Sequence, residues 1–138
     1  MGRISTRRWR DPVTSRYAGR MTRDASPGPL VLLADGRAVA PVEIAATRRA
    51  RTRGLLGRDH LVGALLLAPA GSVHTVGMRF AIDVALCTPD LEVVMVRLLV
   101  PGRMTRPRRG IGAVVEAEAG RFAEWGLETG AQLRISRT

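Results

Sequence analysis

Residues 73–86 read Val-His-Thr-Val-Gly-Met-Arg-Phe-Ala-Ile-Asp-Val-Ala-Leu, and this segment decides how the 138-residue chain is interpreted. It places His74, Arg79 and Asp83 in sequence that is otherwise apolar and strand-like. A polar side chain in such a setting needs a partner, so each of the three should either pair with a neighbouring group or face a ligand. The segment is predicted to form two strands, over residues 73–80 and 82–87.

The rest of the chain shows short apolar runs separated by turn residues, which is typical of strands. Thr47 is a suitable N-cap for a short helix that is expected to end near Leu56, and residues 120–125 should form a helical turn. The fold class predicted is therefore mainly β, a compact antiparallel β-sandwich or barrel with one or two short helices. Further strands are predicted over residues 30–34, 39–46, 64–68, 92–100, 113–117 and 132–136.

The chain divides into a tail and one domain. Residues 1–28 show no apolar periodicity and carry seven Arg against two Asp, so they are predicted to be a disordered, Arg-rich tail. Residues 29–138 are predicted to form a single β-rich domain. Met21 offers an alternative start codon, in which case most of the tail would be absent.

Composition limits the classes of protein that fit. No apolar run approaches the roughly 18 residues that a membrane span requires, so no span is expected. The single cysteine, Cys87, excludes an internal disulfide and fits a reducing compartment, and a cytoplasmic location is therefore expected. All 22 basic residues are Arg and the net charge is +10, with half of that charge in the tail.

A signature and four further motifs occur in an order that resembles one known family. The signature is His-Thr-x-x-Met-Arg-Phe-Ala-Ile-Asp-Val at 74–84, and the four motifs are Val-Glu-Ile-Ala-Ala-Thr at 42–47, Arg-Thr-Arg-Gly-Leu-Leu-Gly-Arg at 51–58, Val-Glu-Ala-Glu-Ala-Gly at 115–120 and Gly-Leu-Glu-Thr-Gly at 126–130. Together they resemble the domain of unknown function 192 family over about residues 40–136. That family has no established activity, so the resemblance implies a fold and a boundary but no reaction. The departures from the family pattern are Ala81 and Glu118, where Pro is usual, and Ala131, where Asp is usual.

Strand alternation gives expected faces for the polar residues. His74 should lie on the face opposite Arg79. Because Ile82 and Val84 have the character of a core face, Asp83 should point away from it, toward a rim or a shallow pocket. Glu116 is similarly isolated, within the apolar run 113–117.

These residues suggest a small binding or accessory module as the function. In that hypothesis Arg79 engages an anionic group, His74 supplies a neutral donor or acceptor, and the carboxylates of Asp83 and Glu116 orient them. The ligand would be a small anion, or the partner a protein. A structural role is the alternative: Asp83 could accept backbone N–H groups across a turn, and Arg79 could pair with Asp83 or Glu116.

A second class of function is a hydrolase or metal-assisted enzyme that uses His74, Asp83 and Glu116, and it requires the three to converge in a pocket. The sequence contains no P-loop, no Gly-x-Gly-x-x-Gly and no Gly-x-Ser-x-Gly motif. Its two His and one Cys lack the spacing of a metal motif, so no metal or cofactor is predicted. An enzyme is therefore the less favoured class.

A third class is a non-specific nucleic-acid binder, through an anion-binding surface of clustered Arg. The sequence offers no exposed stacking aromatics in the domain, so any such binding should be weak, non-specific and sensitive to salt. This reading requires the two clusters to share one face. The clusters are Arg48, Arg49, Arg51 and Arg53 on the short helix, and Arg103, Arg106, Arg108 and Arg109 on the loop 101–112.

Overall fold

The computed structural model describes residues 29–137 and contains seven strands and two short helices. The prediction of a mainly β fold with short helices is confirmed; the predicted tail, residues 1–28, lies outside the described residues. No helix of the described part is long and apolar enough to cross a membrane. The elements are β1 (Leu30–Ala34), β2 (Arg37–Ala45), α1 (Arg48–Arg53), β3 (Ala64–Leu67), β4 (Ile82–Cys87), β5 (Val93–Leu99), β6 (Ala113–Glu118), α2 (Arg121–Trp125) and β7 (Leu133–Arg137).

The seven strands form one mixed sheet in the order β5-β4-β6-β3-β2-β1-β7, which does not close into a barrel. Every neighbouring pair is antiparallel except β2 and β3, which run parallel. The sheet is mainly antiparallel, and this pair is the exception because a crossover separates its strands. Residues 46–63 carry α1 and are long enough to return the chain in the same direction.

The two edge strands approach each other at one end, which gives the sheet its sandwich-like curl. The N–H of Val93 at the start of β5 donates to the Ala131 carbonyl (2.9 Å), and its carbonyl accepts the Gly130 N–H (2.8 Å). The Leu133 N–H at the start of β7 donates to the Leu91 carbonyl (2.9 Å). The curled sheet therefore has an inner face and an outer face.

Both faces of the sheet are apolar, and β4, which lies next to the edge strand β5, contributes to both. Ala85 and Cys87 belong to the inner cluster, where α2 adds Phe122, whereas Val84 and Leu86 belong to the outer cluster. The expectation that only the Val84 face of β4 is core is wrong. Loops cover the outer face, so every residue of β4 is buried.

The strand predicted over residues 73–80 is absent, and the segment crosses the outer face as a loop. It forms a single bridge, from His74 to Met104. Thr75 is completely buried, and its hydroxyl donates to the Val100 carbonyl (2.7 Å) and accepts the Arg103 N–H (2.8 Å). Because Thr75 also closes a turn with the Met78 N–H, extended pairing stops there.

We expect Thr75→Val to destabilise the domain by about 2 kcal/mol, because a carbonyl and an N–H would remain buried without their hydroxyl partner. Thr75→Ser keeps the hydroxyl and should stay within about 1 kcal/mol of the wild type. Urea denaturation of the three proteins checks this. A larger loss in Thr75→Ser, which lacks the methyl group, than in Thr75→Val, which lacks the hydroxyl, would show that the methyl group stabilises the loop.

Helix α1 begins as the sequence predicts and ends earlier. The Thr47 hydroxyl accepts the Ala50 N–H at 3.0 Å, which confirms Thr47 as the N-cap. The helix stops at Arg53 rather than near Leu56, because Gly54 adopts a positive φ of 48° and donates to the Ala50 carbonyl. This short helix lies over the outer face of the sheet and brings two of its arginines to a cleft.

Candidate functional site

A cleft of about 270 Å³ opens on the outer face of the sheet. Helix α1 and the residues that follow it form one wall, and the segment from Ser72 to His74 forms another. Leu55, Leu67 and Met78 contribute apolar surface. The polar and charged residues that line the cleft are Arg51, Thr52, Arg53, Ser72, His74 and Glu116.

Glu116 is the buried ionisable group of this cleft. It lies on β6 between Leu65 of β3 and Val84 of β4, and only 2% of its surface is exposed. Its Oε1 atom has no hydrogen-bond partner among the residues that the structure describes. Burial raises the pKa of Glu116 from an ordinary 4.5 to about 7, because desolvation disfavours the charged form. Near neutral pH both protonation states are therefore populated.

Two arginines line the same cleft and give it positive charge. The guanidinium of Arg51 donates to the carbonyls of Ala46 and Ala68, which fixes its position between α1 and the end of β3. Burial lowers the pKa of Arg51, with a smaller contribution from the like charge of Arg48, yet an Arg remains charged at neutral pH. Arg53 is exposed and lines the same cleft. The cleft thus combines a basic wall with a buried carboxyl.

His74 lies at the exposed side of this cleft. Its Nδ1 accepts the Val76 N–H at 3.3 Å, a bond within its own loop. Because the bridge to Met104 fixes its backbone, the imidazole has a defined place beside the cleft. His74 and Glu116 are the two predicted ligand residues that the structure brings to one cavity.

Asp83 occupies the other face of the sheet from Glu116. It pairs in register with Ala117, whose side chain lies in the inner cluster, and it is 8% exposed. Its Oδ2 accepts the N–H groups of Gly120 and Phe122, both at 3.0 Å, at the start of α2. Gly120 is the N-cap of α2 and has no side chain to cap it, so Asp83 supplies that acceptor from β4. The structural alternative for Asp83, acceptance of backbone N–H groups, is confirmed.

Arg79 also points elsewhere. Its guanidinium pairs with Asp59 at 2.8 Å on the surface, where both side chains are mostly exposed. The predicted pairing of Arg79 with Asp83 or Glu116 is therefore wrong. The residues that sequence reasoning missed here are Ser72 and Met78, and the contribution of Arg51 to the same cleft as Glu116 was not anticipated either.

Members of the two predicted Arg clusters line two different clefts, with Arg51 and Arg53 of α1 in the first. Arg48 and Arg49 are exposed on α1. Arg106 and Arg108 line a second cleft, of about 460 Å³, with Met95 of β5. Both clefts lie over residues of the outer apolar cluster.

Other reactive groups give little support for a metal or a nucleophile. Within residues 29–137, no group of three or more His, Cys, Asp or Glu is placed to hold a metal ion. Cys87 is free and buried in the inner cluster, and burial raises the pKa of its thiol to about 12. The thiol is therefore protonated at neutral pH and is a poor nucleophile.

The fold and the motifs define the class to which this chain belongs. Residues 30–135 match the model of a family described as "Uncharacterized ACR", a family without an assigned function. The chain belongs to this family, the domain of unknown function 192 family, as its four motifs predict.

Two solved structures share the fold. A protein of unknown function from Novosphingobium aromaticivorans DSM 12444 is 21% identical, with a TM-score of 0.65, over 77% of this chain and 83% of that one. A protein from Sinorhizobium meliloti 1021, described as a "putative transcription regulator", is 20% identical, with a TM-score of 0.66, over 79% of this chain and 93% of that one. No curated protein matches the sequence. At these identities the likeness extends to the fold alone.

Proposed function

We propose that this chain is a small-molecule binding module that holds a small organic anion in the cleft above Glu116. The observation that carries the proposal is the Oε1 of Glu116, which has no hydrogen-bond partner within residues 29–137 although the residue is only 2% exposed. A buried polar group without a partner costs folding free energy, so such groups concentrate where a ligand satisfies them.

The protonation of Glu116 decides what it offers a ligand. With a pKa of about 7, the carboxyl is largely protonated just below neutral pH and can then donate a hydrogen bond. A neutral donor on the floor of the cleft fits an acceptor oxygen of a carboxylate or phosphate ligand. Binding of an anion should also favour the protonated form, because a second negative charge nearby raises the pKa further.

The residues that form the walls of the cleft indicate the charge, the apolar part and the size of the ligand. Arg51 and Arg53 supply the positive charge, and an Arg guanidinium matches the geometry of carboxylate and phosphate groups. Leu55, Leu67 and Met78 accept an apolar body. A volume of about 270 Å³ is at the small end of ligand pockets, which suggests a compact metabolite rather than a nucleotide or cofactor.

The same carboxyl supports acid–base catalysis as a second candidate function. A pKa near the working pH is the property that a general acid or base needs, and Glu116 has it in a cleft that also contains His74. Asp83 takes no part in this candidate site, because it caps α2 on the opposite face. Turnover of a bound anion, lost in Glu116→Gln with binding retained, would distinguish an enzyme from a binding module.

We expect small carboxylates and phosphates to raise the melting temperature, and matched amines to leave it unchanged. A ligand at a hundred times its Kd adds about 2.7 kcal/mol, which is a rise of roughly 10 °C for a domain of this size. The measurement is thermal denaturation with a panel of such compounds at pH 6.5. Arg53→Ala should remove most of the rise, and Arg134→Ala, an exposed Arg of β7, serves as the matched control.

Two outcomes contradict the proposed function. One is a panel in which no anion raises the melting temperature of the wild type. The other is an equal loss of the rise in Arg53→Ala and Arg134→Ala, which would indicate general charge screening rather than binding in the cleft.

A further inference from the structure

Strand β5 presents an open edge. It is the terminal strand of the sheet and pairs with β4 on one side only. At its start Val93 bonds to residues 130 and 131, but over residues 94–99 no described strand pairs with the outer edge. An open edge of this length is a template for an added strand unless it is blocked.

The two faces of β5 differ in chemistry. Met95 and Arg97 face the second cleft, which has Leu86 at its base and Arg106 and Arg108 along its side. Leu98 belongs to the opposite face and is 62% exposed, so it offers apolar surface to an added strand. Alternation along an added strand would therefore send its side chains in turn toward a basic cleft and toward an apolar surface.

The positive charge beside this edge is unbalanced. Residues 93–112 contain five Arg and no Asp or Glu. None of these five forms an ion pair in the described part of the chain. Arg97 and Arg108 instead donate to the Met95 sulfur, at 3.2 and 3.4 Å, which keeps both guanidinium groups over the cleft.

We propose that β5 is a docking edge for an acidic extended peptide of another protein, which adds to the sheet as an eighth strand. Alternate Asp or Glu residues of the peptide face Arg97, Arg106 and Arg108, and its intervening apolar residues cover Leu98. Backbone hydrogen bonds to the open edge supply affinity, and the two kinds of side chain supply specificity. This inference is independent of the Glu116 cleft.

Charge argues against the other occupants of this edge. A second copy paired through β5 would bring Arg97 and the basic loop of each protomer together, and like charges opposite each other destabilise a strand pair. The tail, residues 1–28, carries a net charge of +5 and is repelled for the same reason. A nucleic acid would match the positive charge, but residues 93–112 contain no aromatic side chain on which a base could stack. A phosphate backbone would also leave the apolar side chain of Leu98 uncovered.

The test is selection from a random twelve-residue peptide library displayed on phage, followed by synthesis of the selected peptides. We expect selected sequences in which Asp or Glu alternates with apolar residues over at least six positions. In titrations monitored by fluorescence, Leu98→Ser and Arg106→Ser should each weaken the best peptide about tenfold or more. Val62→Ser, which changes an exposed Val elsewhere, and Arg134→Ser are the matched controls and should stay within about twofold.

Each other outcome overturns the proposal. These are a selection that yields no binders, binders without acidic residues, or equal weakening in the test and control variants. Tighter binding of a twenty-nucleotide oligothymidylate than of any peptide, unaffected by Leu98→Ser, would assign the edge to nucleic acid. Dimerisation in sedimentation that Leu98→Ser abolishes would assign it to a second copy.

Discussion

We expect the free energy of unfolding of the wild type to fall between pH 5 and pH 8, and Glu116→Gln to show little of this fall. The folded state holds the Glu116 proton up to a pKa of about 7, whereas the unfolded state releases it near 4.5. The folded state therefore binds more protons in this window, and the free energy of unfolding falls as the pH rises through it. The shift corresponds to a loss of about 2 to 3 kcal/mol between the two pH values, complete once the pH exceeds the folded pKa.

Urea denaturation at pH 5 and pH 8 measures this effect as a difference between variants. Glu116→Gln should lose about 2 to 3 kcal/mol less than the wild type over the interval. Glu128→Gln is the matched control, because Glu128 is exposed and should follow the wild type. If Glu116→Gln and wild type lose the same free energy, the carboxyl is ionised in the folded protein and the account of the cleft fails.

Asp83→Ala is the second large effect, and we expect it to cost about 3 kcal/mol. The substitution removes the acceptor of two N–H groups at the start of α2, and a hydrogen bond to a charged acceptor contributes about 1.5 to 3 kcal/mol. Asp83→Asn keeps one neutral acceptor oxygen and should cost about half as much. The expected order of unfolding free energies is wild type, then Asn, then Ala.

His74→Ala provides the contrast to Asp83→Ala. His74 is exposed, and the hydrogen bond that its side chain makes to the described residues lies within its own loop, so loss of the imidazole should cost less than about 1 kcal/mol. Thermal denaturation of the two Ala variants side by side checks the assignment of a structural role to Asp83 and a cleft role to His74. A larger destabilisation in His74→Ala would reverse those roles and remove His74 from the site.

The local elements follow closely from the sequence. The strand Ile82–Cys87 is predicted to the residue, and Thr47 is the N-cap that its side chain predicts. Both depend on neighbouring residues alone: an apolar run that only Asp83 interrupts in one case, and a hydroxyl three residues before its donor in the other. The resemblance to the family over residues 40–136 is likewise confirmed by the match over residues 30–135.

The sequence-based predictions fail where contacts between distant parts of the chain determine the local structure. The loop over residues 73–80 departs from a strand because Thr75 bonds to Val100 and Arg103, about 25 residues away. Alternation alone does not reveal that Asp83 lies on the inner face of the sheet. Both faces of β4 are buried, because the sheet curls and brings β5 near β7.

In the candidate site, too, the sequence predicts single residues but not the contacts between distant ones. Glu116 is conspicuous in the sequence because it is a carboxyl within an apolar run. His74 is conspicuous because it is an ionisable residue in the segment 73–86. Their meeting with Arg51 depends on how α1 and the loop 73–80 cross the outer face, which no spacing along the chain reveals. Arg79 is predicted to belong to the site because it is close to His74 and Asp83 in sequence, but its guanidinium pairs with Asp59.

Carbon-13 NMR of the Glu116 carboxyl, titrated with and without the tightest-binding anion of the panel, tests the central claim most directly. Assignment comes from the resonance that disappears in Glu116→Gln. We expect a midpoint near pH 7 in the free protein and a higher midpoint with the anion bound, because the added negative charge favours the protonated form. A midpoint near 4.5 in the free protein, or one that the anion leaves unchanged, would contradict the central claim.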